Sequence, residues 1–426
     1  MVLGLLVVLV VSIAWGRIER HWVSLGVLTV LVLSGAVGLG EVVEFIDWDV
    51  LGLVLGMSVF TVFLEESGLM DLVAKFMYGR LVSPRAVVFW LSFLAGLVSI
   101  FLENVTVVLL VAPIVFRLAQ YLHVDPALIL IPTALASNMA GSATMVGDPP
   151  AIITAGYLNL AFMDFIWYNG KPSMFFMTLI PMILACLIAA VVAGRRQVRV
   201  DSTKVKSGSG CSRVDRFFLL EAVFFLGLKI TLLSLRHELN IPLSLAALVG
   251  VGGITLTRLV HGDYRSIVRA LYCGFEWKLL LFLMGVFVLS GAFAKYSLAK
   301  TVAQEIVFTA GGDLVLVTSL LVWISVAMSA FIDNVPYTLT MLPVVTVIAR
   351  NLNVEPITIA WAVLLGTTLG GNLTYIGASA NVMAVRLLER KGKTVTFTQF
   401  TKISIPFNTI SVVTGWIMYE LIWIIP

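Results

Sequence analysis

Two polar stretches that contain glycine interrupt the apolar chain: residues 137–150 read SNMAGSATMVGDPP, and residues 370–381 read GGNLTYIGASAN. Long apolar runs lie on both sides of each stretch, and the glycines within it free the backbone from helical geometry. Non-helical backbone inside a bilayer is tolerated only where protein buries it or where it lines a watery cavity. The two stretches therefore predict two membrane helices that are broken near their middle.

The composition around these stretches indicates that lipid surrounds the protein. Of the 426 residues, 60% are hydrophobic and 12% are charged, whereas soluble domains carry about 25% charged residues. Apolar windows typical of membrane helices occur at 23–39, 49–64, 173–194, 217–235, 242–258, 277–294 and 403–424. The sequence therefore predicts an all-α polytopic membrane protein. Its first fifteen residues are interpreted as an uncleaved helix, because Arg17 and Arg20 follow the apolar run instead of preceding it.

The chain also repeats itself at a constant spacing. Glu103-Asn104 corresponds to Asp333-Asn334, since 333 − 103 = 230. The same spacing relates Pro113 to Pro343, Leu122 to Leu352, Pro126 to Pro356, Gly141 to Gly371, Thr144 to Thr374 and Gly147 to Gly377. An ungapped register of this length is not expected by chance. We therefore predict a first repeat at 1–194 and a second repeat at 217–426.

The linker between the repeats predicts their orientation. Residues 195–216 contain Ser-Gly-Ser-Gly and are rich in Arg and Lys, so the positive-inside rule places this linker in the cytoplasm. The helix at 23–39 then runs from inside to outside, and its counterpart at 242–258 runs from outside to inside. The repeats are therefore predicted to be inverted, with both termini outside the cell (inner) membrane.

A re-entrant hairpin is predicted beside each broken helix. The apolar run at 85–101 leads to Glu103-Asn104-Val105-Thr106, and a second helical run returns to the same side of the membrane. The tip of the second copy is Asp333-Asn334-Val335-Pro336. Each repeat thus contains one re-entrant hairpin and one discontinuous transmembrane helix, and the chain has about ten to eleven spans plus two hairpins.

Ion and substrate binding is predicted at the hairpin tips and in the broken helices. Half-helix starts favour anions, while freed carbonyls and side-chain oxygens suit cations. Ionised acids at this depth cost several kcal/mol and are usually functional. The predicted binding residues are Glu103, Asn104, Thr106, Asn138, Ser142, Thr144, Gly147, Asp148, Asp333, Asn334, Gly371, Asn372, Thr374, Gly377, Ser379 and Asn381. A bound Na⁺ would use Asn104, Thr144, Asp148, Asn334 and Thr374.

Structural roles compete with these assignments. Asp148 precedes two prolines and is a good helix N-cap. Glu103 and Asp333 are alternatively partners of backbone amides at the tips, and the asparagines alternatively satisfy broken backbone. The coupling ion stays open between H⁺ and Na⁺. No other cofactor is predicted.

At these residues the sequence resembles the ion transporter superfamily, in the branch of the arsenite/antimonite permeases and the melanosomal P protein, with its citrate transporter-like domain. The motifs that carry the resemblance are the two hairpin tips, Gly147-Asp-Pro-Pro and the stretch from Gly371 to Asn381. The resemblance implies a scaffold and a moving transport part that work as an elevator, often in a homodimer. It also implies that the tips and broken helices hold the coupling ions and the substrate.

Two residues depart from the family pattern. Glu103 stands where the family more often has Asp, and Ala151 stands where Asn is common. The Ser-Asn-Thr signature of sodium-coupled dicarboxylate carriers is also absent, which lowers the expectation for citrate or succinate.

The predicted function is secondary active transport of a small inorganic anion or its neutral acid, of the arsenite/antimonite type, coupled to H⁺ or Na⁺. The alternatives are a Na⁺/H⁺ antiporter or a citrate-like carboxylate carrier. An enzyme is not predicted, because HExxH, Gly-x-Ser-x-Gly and a His-rich metal set are absent from the sequence. The predicted partners are the ion substrate and membrane lipid but no nucleic acid, and a separate ATPase stays open.

Overall fold

The structure is a computed structural model that describes residues 1–15, 18–68, 83–122, 124–195 and 215–425. Most of the predicted linker at 195–216 therefore lies outside the described residues, and so does Cys211. The division of the chain into a first repeat at 1–194, a linker and a second repeat at 217–426 stays a prediction at its boundaries.

Helices make up nearly all of the described chain, which confirms the all-α prediction. The helices of the first half are α1 (Val2–Trp15), α2 (Arg20–Leu33), α3 (Leu39–Phe45), α4 (Trp48–Glu66), α5 (Pro84–Ser99), α6 (Asn104–Leu122), α7 (Ala127–Gly141), α8 (Pro149–Tyr157) and α9 (Met174–Arg195). A 3₁₀ turn at Phe162–Phe165 and a short antiparallel pair, β1 (Trp167–Tyr168) and β2 (Lys171–Pro172), lie between α8 and α9.

The described part of the second half contains eleven helices, two more than the described part of the first half. Its helices are α10 (Arg216–Ser234), α11 (Arg236–Leu239), α12 (Leu243–Val260), α13 (Tyr264–Gly274), α14 (Trp277–Lys295), α15 (Leu298–Thr309), α16 (Leu314–Ser329), α17 (Asn334–Leu352), α18 (Pro356–Gly370), α19 (Ser379–Arg390) and α20 (Phe397–Tyr419). A π-helical turn at Glu420–Ile424 extends α20.

Eight helical segments of the described chain are long and apolar enough to cross a membrane. Helices α2, α5, α7, α16 and α18 are shorter apolar helices. The predicted window at 23–39 was too long, because α2 ends at Leu33 and a turn follows in which Gly35 has a φ of +71°. The total of ten to eleven spans stays a prediction.

Matching hydrogen bonds establish the internal repeat. In both halves a serine at the end of the first hairpin arm donates to the asparagine that begins the second arm. In both halves a threonine of the broken-helix loop donates to a carbonyl at the hairpin tip. The pairs are Ser99 with Asn104 (2.7 Å) and Ser329 with Asn334 (2.5 Å), then Thr144 with the Ile100 carbonyl (2.7 Å) and Thr374 with the Ala330 carbonyl. Contacts of the same kind at the predicted spacing confirm the repeat.

The packing of α9 against α20 shows that the repeats are inverted. These helices are equivalent, since each ends its repeat, and both are long and apolar enough to span. Lys171 Nζ, just before α9, donates to the Trp423 carbonyl beyond α20 at 3.2 Å, and Gly415 lies against the Met177 carbonyl. The start of one helix therefore meets the end of the other. Equivalent helices that cross in opposite directions make the two repeats inverted.

Two further helix pairs are related in the same reciprocal way. Helix α2 of the first repeat packs on α14 of the second repeat, and α12 of the second repeat packs on α4 of the first. A Cβ atom at Gly285 would lie 2.6 Å from the Ser24 carbonyl oxygen, and one at Gly56 would lie 2.5 Å from Ala247 Cβ. Reciprocal contacts of this kind are the mark of a two-fold relation. We call these two pairs the scaffold pairs.

The hairpins and the broken helices form a second unit, α5 to α8 and α16 to α19, which we call the central cluster. Helix α7 packs on α5, α18 packs on α16, and the repeats interlock where α19 meets α6 and α8 meets α17. Helices α7 and α18 are buried along almost their whole length. The broken helices therefore lie inside protein, as non-helical backbone in a bilayer requires.

Candidate functional site

Each broken helix is interrupted where it meets a hairpin tip. Helix α7 ends at Gly141 and α8 begins at Pro149, while α18 ends at Gly370 and α19 begins at Ser379. A Cβ atom on Gly147 would clash with the Ser99 carbonyl oxygen. Gly377 meets the Ser329 carbonyl in the same way. Two of the predicted glycines are therefore needed for close approach of the loop to the tip.

The two broken helices bind each other directly where they cross. Asn138 Nδ2 donates to Asn372 Oδ1 at 3.0 Å and to the Thr368 carbonyl at 3.3 Å. Thr368 Oγ1 donates to Ser142 Oγ at 2.8 Å. Thr368 is the counterpart of Asn138, and Asn372 is the counterpart of Ser142, at the spacing of 230. The crossing is thus an amide pair on one side of the two-fold axis and a hydroxyl pair on the other.

Asparagines extend this polar crossing to the first tip and to the start of α19. Asn104 Nδ2 donates to Asn138 Oδ1 at 3.4 Å. Asn381 Nδ2 donates to the Gly371 carbonyl at 3.0 Å, while Asn381 Oδ1 is buried and has no hydrogen-bond partner in the described chain. Asn372 Nδ2 donates to the Leu135 carbonyl at 2.9 Å. Asn138, Asn372 and Asn381 therefore each donate to a backbone carbonyl, and Asn381 Oδ1 is a buried acceptor without a partner in the described chain.

The acid of the first tip is held by its own helix. Glu103 Oε2 accepts hydrogen bonds from Thr106 N at 3.0 Å and from Thr106 Oγ1 at 3.1 Å. These bonds match the structural interpretation of Glu103 as a partner of tip amides. No basic side chain of the described chain forms an ion pair with Glu103.

The acid of the second tip is held by a distant arginine. Asp333 Oδ1 accepts from Val335 N at 3.1 Å, and its Oδ2 accepts from Arg20 Nη1 at 3.1 Å. The same Nη1 donates to Ser379 Oγ at 2.8 Å, and the Arg20 guanidinium lies 5.3 Å from the centre of the Phe282 ring. Sequence reasoning missed Arg20 in this role, because it considered Arg20 only as a charge that follows the first apolar helix. A 313-residue separation leaves no local pattern to find.

Asp148 does not act as the predicted helix cap. It occupies the N-cap position of α8 in an extended conformation, yet its side chain accepts no hydrogen bond from the helix backbone. Pro150 has no N–H to donate, and the Ala151 N–H donates to the Asp148 backbone carbonyl at 3.1 Å instead of to its side chain. The carboxylate accepts instead from Ser142 Oγ at 3.4 Å. It therefore faces the polar crossing.

The three predicted acids share one region of the protein. Asp148 and Asp333 are 6% and 8% exposed, and Asp148 interacts electrostatically with both Glu103 and Asp333. Glu276, at the N-cap of α14, interacts electrostatically with Glu103 and Arg20 and was also missed in the sequence. Several acids thus surround one arginine. Ionised carboxylates in such a site require compensating cations or protons.

The structure divides the residues proposed for Na⁺ between the repeats. Asn104, Thr144 and Asp148 lie in the first, whereas Asn334 and Thr374 lie in the second, where Asn334 Oδ1 already accepts from Ser329. Within the described ranges, no group of three or more His, Cys, Asp or Glu side chains is placed to hold a metal ion. A Na⁺ site built from the predicted residues would combine a single carboxylate, that of Asp148, with amide, hydroxyl and carbonyl oxygens.

The described cysteines lie away from the crossing. Cys186 is buried within α9, and Cys273 is exposed near the end of α13. Neither helix contributes a residue to the polar crossing. Any ligand bound there meets oxygen and nitrogen donors of the described chain instead of these two thiols.

Helices that break and meet inside a bundle of spanning helices define this protein as a membrane transporter. It belongs to the citrate transporter family, whose model (CitMHS) matches residues 10–366 and, separately, residues 241–425. The second match lies wholly within the predicted second repeat at 217–426. The resemblance to a citrate transporter-like domain is confirmed.

Relatives and a solved structure agree with this assignment. An uncharacterized transporter of Mycobacterium tuberculosis (strain ATCC 25618 / H37Rv) is 33% identical over 419 residues, 96% of this chain and 96% of that protein. The P protein of Homo sapiens is 27% identical over 473 residues, which cover 92% of this chain and 56% of the P protein. The crystal structure of the Alcanivorax borkumensis YdaH transporter matches with a TM-score of 0.62 over 88% of this chain and 84% of that chain. At 15% identity, this last likeness concerns the fold alone.

Proposed function

We propose that this transporter is a secondary active carrier for a small oxyanion or its neutral acid, coupled to H⁺ or Na⁺. The observation that carries the proposal is the polar crossing, in which Asn138 and Asn372 join the two repeats beside both hairpin tips. Arsenite and antimonite are the leading substrates. Amides and hydroxyls would bind them, since the site offers these groups.

The charges around the crossing support cation coupling. Glu103, Asp148 and Asp333 lie together, and Arg20 is the one basic side chain of the described residues that pairs with any of them. Negative charge beyond what Arg20 neutralises is compensated by protons or Na⁺. A cation taken up on one side and released on the other is then the driving ion.

The architecture supports an elevator-like cycle. The central cluster would be the moving transport part, and the scaffold pairs would remain fixed in the membrane. The basic linker at 195–216 would lie in the cytoplasm and both termini outside, in the cell (inner) membrane. A homodimer of this chain would provide the static frame.

Two other functions have specific support. The family is described as citrate transporter, and a guanidinium beside the crossing suits a carboxylate, so a citrate-like carrier is the second candidate. A Na⁺/H⁺ antiporter is the third candidate, since the grouped acids would bind a cation without any anion.

Proton movement in proteoliposomes separates these candidates. A pH dye is trapped inside vesicles that contain the full chain, and arsenite, citrate or Na⁺ is added separately. A pH change triggered by arsenite alone supports the leading proposal, and one triggered by citrate or by Na⁺ alone supports the second or third candidate. Absence of arsenite uptake, measured directly in the same vesicles under every Na⁺ and proton gradient, would overturn the leading proposal.

A further inference from the structure

The contact between Arg20 and the second hairpin joins two parts of the protein. Arg20 is the first residue of α2, a helix of the scaffold pairs. In the central cluster, Asp333 is the N-cap residue of α17 and Ser379 is the first residue of α19. One nitrogen, Nη1, donates to both of them. The guanidinium thus occupies the space between a tip acid and the start of the broken helix.

This space has the chemistry of a cation site. Asp333 Oδ2 and Ser379 Oγ are oxygen ligands predicted from the sequence, and both are used by Arg20 in this structure. The Ser379 hydroxyl also lies 3.5 Å from Asp333 Oδ2. A positively charged group of the protein therefore stands where a coupling cation would bind.

The two partners differ in their access to water. The Arg20 side chain is 39% exposed, whereas that of Asp333 is 11% exposed. The Arg20 side chain is therefore less enclosed by protein and can move away, while the buried carboxylate cannot follow it. Helix α2 itself is fixed, because Ser24 packs tightly against Gly285 of α14. Release of Arg20 from Asp333 would thus move the arginine side chain and leave helix α2 in place.

We propose that Arg20 is a built-in cation that fills the second-repeat ion site in the empty carrier and is displaced when the coupling cation binds. This inference rests on the proposed cation coupling and names how one of its sites is regulated. Arg20 neutralises Asp333 until H⁺ or Na⁺ takes its place. The displaced guanidinium then no longer ties the scaffold to the central cluster.

Other charged groups face the same arginine. Glu103 of α6's tip and Glu276 of α14 both interact electrostatically with Arg20, and Asp148 interacts with Asp333. These acids give the displaced guanidinium other carboxylates nearby. Protonation of these acids also changes the charge around Arg20, so the effect of Na⁺ is measured at several pH values.

A cation titration of the purified full chain tests the proposal. Thermal unfolding is followed in detergent while NaCl replaces choline chloride at constant ionic strength, and this is repeated over a series of pH values. The midpoint is the NaCl concentration that gives half of the full rise in unfolding temperature. Arg20→Gln should lower this concentration about tenfold, as expected for loss of one charge-assisted contact. Arg20→Lys, which keeps the positive charge, should remain close to the wild-type midpoint.

Two variants control for other causes. Lys278→Gln removes an exposed 2.7 Å ion pair with Glu19 in the same scaffold pair and should leave the midpoint unchanged. Arg20→Met, which keeps an unbranched stem over Phe282, replaces Arg20→Gln if that variant does not fold. An unchanged midpoint in the Arg20 variant, or an equal shift in Lys278→Gln, would overturn the inference.

The binding titration is independent of flux. Silence of the wild type in the liposome assay would count against the proposed function. A tenfold shift in the Arg20→Gln titration would still support displacement of Arg20 by a cation.

Discussion

The two hairpin tips occupy equivalent positions in the repeats, but different groups donate hydrogen bonds to their acidic side chains. At the first tip, Thr106 supplies both an N–H and a hydroxyl to Glu103. At the second tip the counterpart of Thr106 is Pro336, which has neither group, and Arg20 supplies the missing donor to Asp333. One repeat thus stabilises its acid locally, and the other depends on a residue of the opposite repeat.

This difference shows that the two repeats have the same backbone packing at their tips but differ in the charged side chains placed there. Where the backbone of a loop approaches a tip, Gly147 and Gly377 recur, and so do the serine–asparagine bonds. Where a side chain carries charge, the two copies diverge. Duplicated geometry is kept by sterics, while each tip is free to acquire its own ion chemistry.

The largest expected effect is the loss of coupled flux in Asp333→Asn. This change removes the charge that Arg20 pairs with and that a coupling cation would need, but it keeps the side-chain volume. Proteoliposome flux should fall to background while size-exclusion chromatography shows a folded protein. Normal flux in this variant would rule out a coupling role for the second tip.

Alanine at Gly147 and at Gly377 should destabilise the protein to a similar extent. In each case the new Cβ meets a backbone carbonyl that cannot move cheaply, so each change should lower the free energy of unfolding by about 1–3 kcal/mol. Thermal unfolding measures the loss. Gly252→Ala, with open space around its Cβ, is the matched control. A large loss at one tip only would break the packing equivalence of the repeats.

Thr106→Val should affect the first tip alone. Glu103 would lose its hydroxyl donor and keep the Thr106 backbone donor, a change worth about 1 kcal/mol. We expect a modest fall in thermal stability and a cation midpoint that still shifts when Arg20→Gln is added. Loss of that second shift would mean that the two tips act as one site.

The smallest effect is expected at the rim of the scaffold pair. A hydrogen bond from Lys278 lowers the pKa of Glu19 below its ordinary value of 4.5, so this pair stabilises the protein above that pH and less as the pH falls through the lowered pKa. Lys278→Gln should remove this small loss of stability at acidic pH. Unfolding temperatures of both proteins between neutral and acidic pH provide the measurement. A large loss of stability at neutral pH would contradict the surface role of the pair.

The sequence predicted the helices, the repeat and the broken segments because their signals are local. Glycine and proline at fixed spacing, with apolar runs beside them, are visible without any long-range contact. Arg20 and Glu276 were missed because their partners are brought near only by the fold. The alternative interpretation of Asp148 as a side-chain cap was wrong for a different reason: Pro150 has no amide hydrogen, and the Ala151 amide donates to the Asp148 backbone carbonyl. Functional roles of the predicted site residues stay predictions.

The unequal pairs at the crossing have a consequence for the resting carrier. If the two repeats were identical throughout, the outward-facing and inward-facing forms of the proposed carrier would be related by the two-fold axis and would have equal free energy and equal population. An amide pair, Asn138 with Asn372, opposite a hydroxyl pair, Thr368 with Ser142, removes that degeneracy. A difference of about 1.4 kcal/mol already gives a tenfold preference for one form. In the proposed carrier, these four side chains would contribute to whether the outward-facing or the inward-facing form is more populated when nothing is bound.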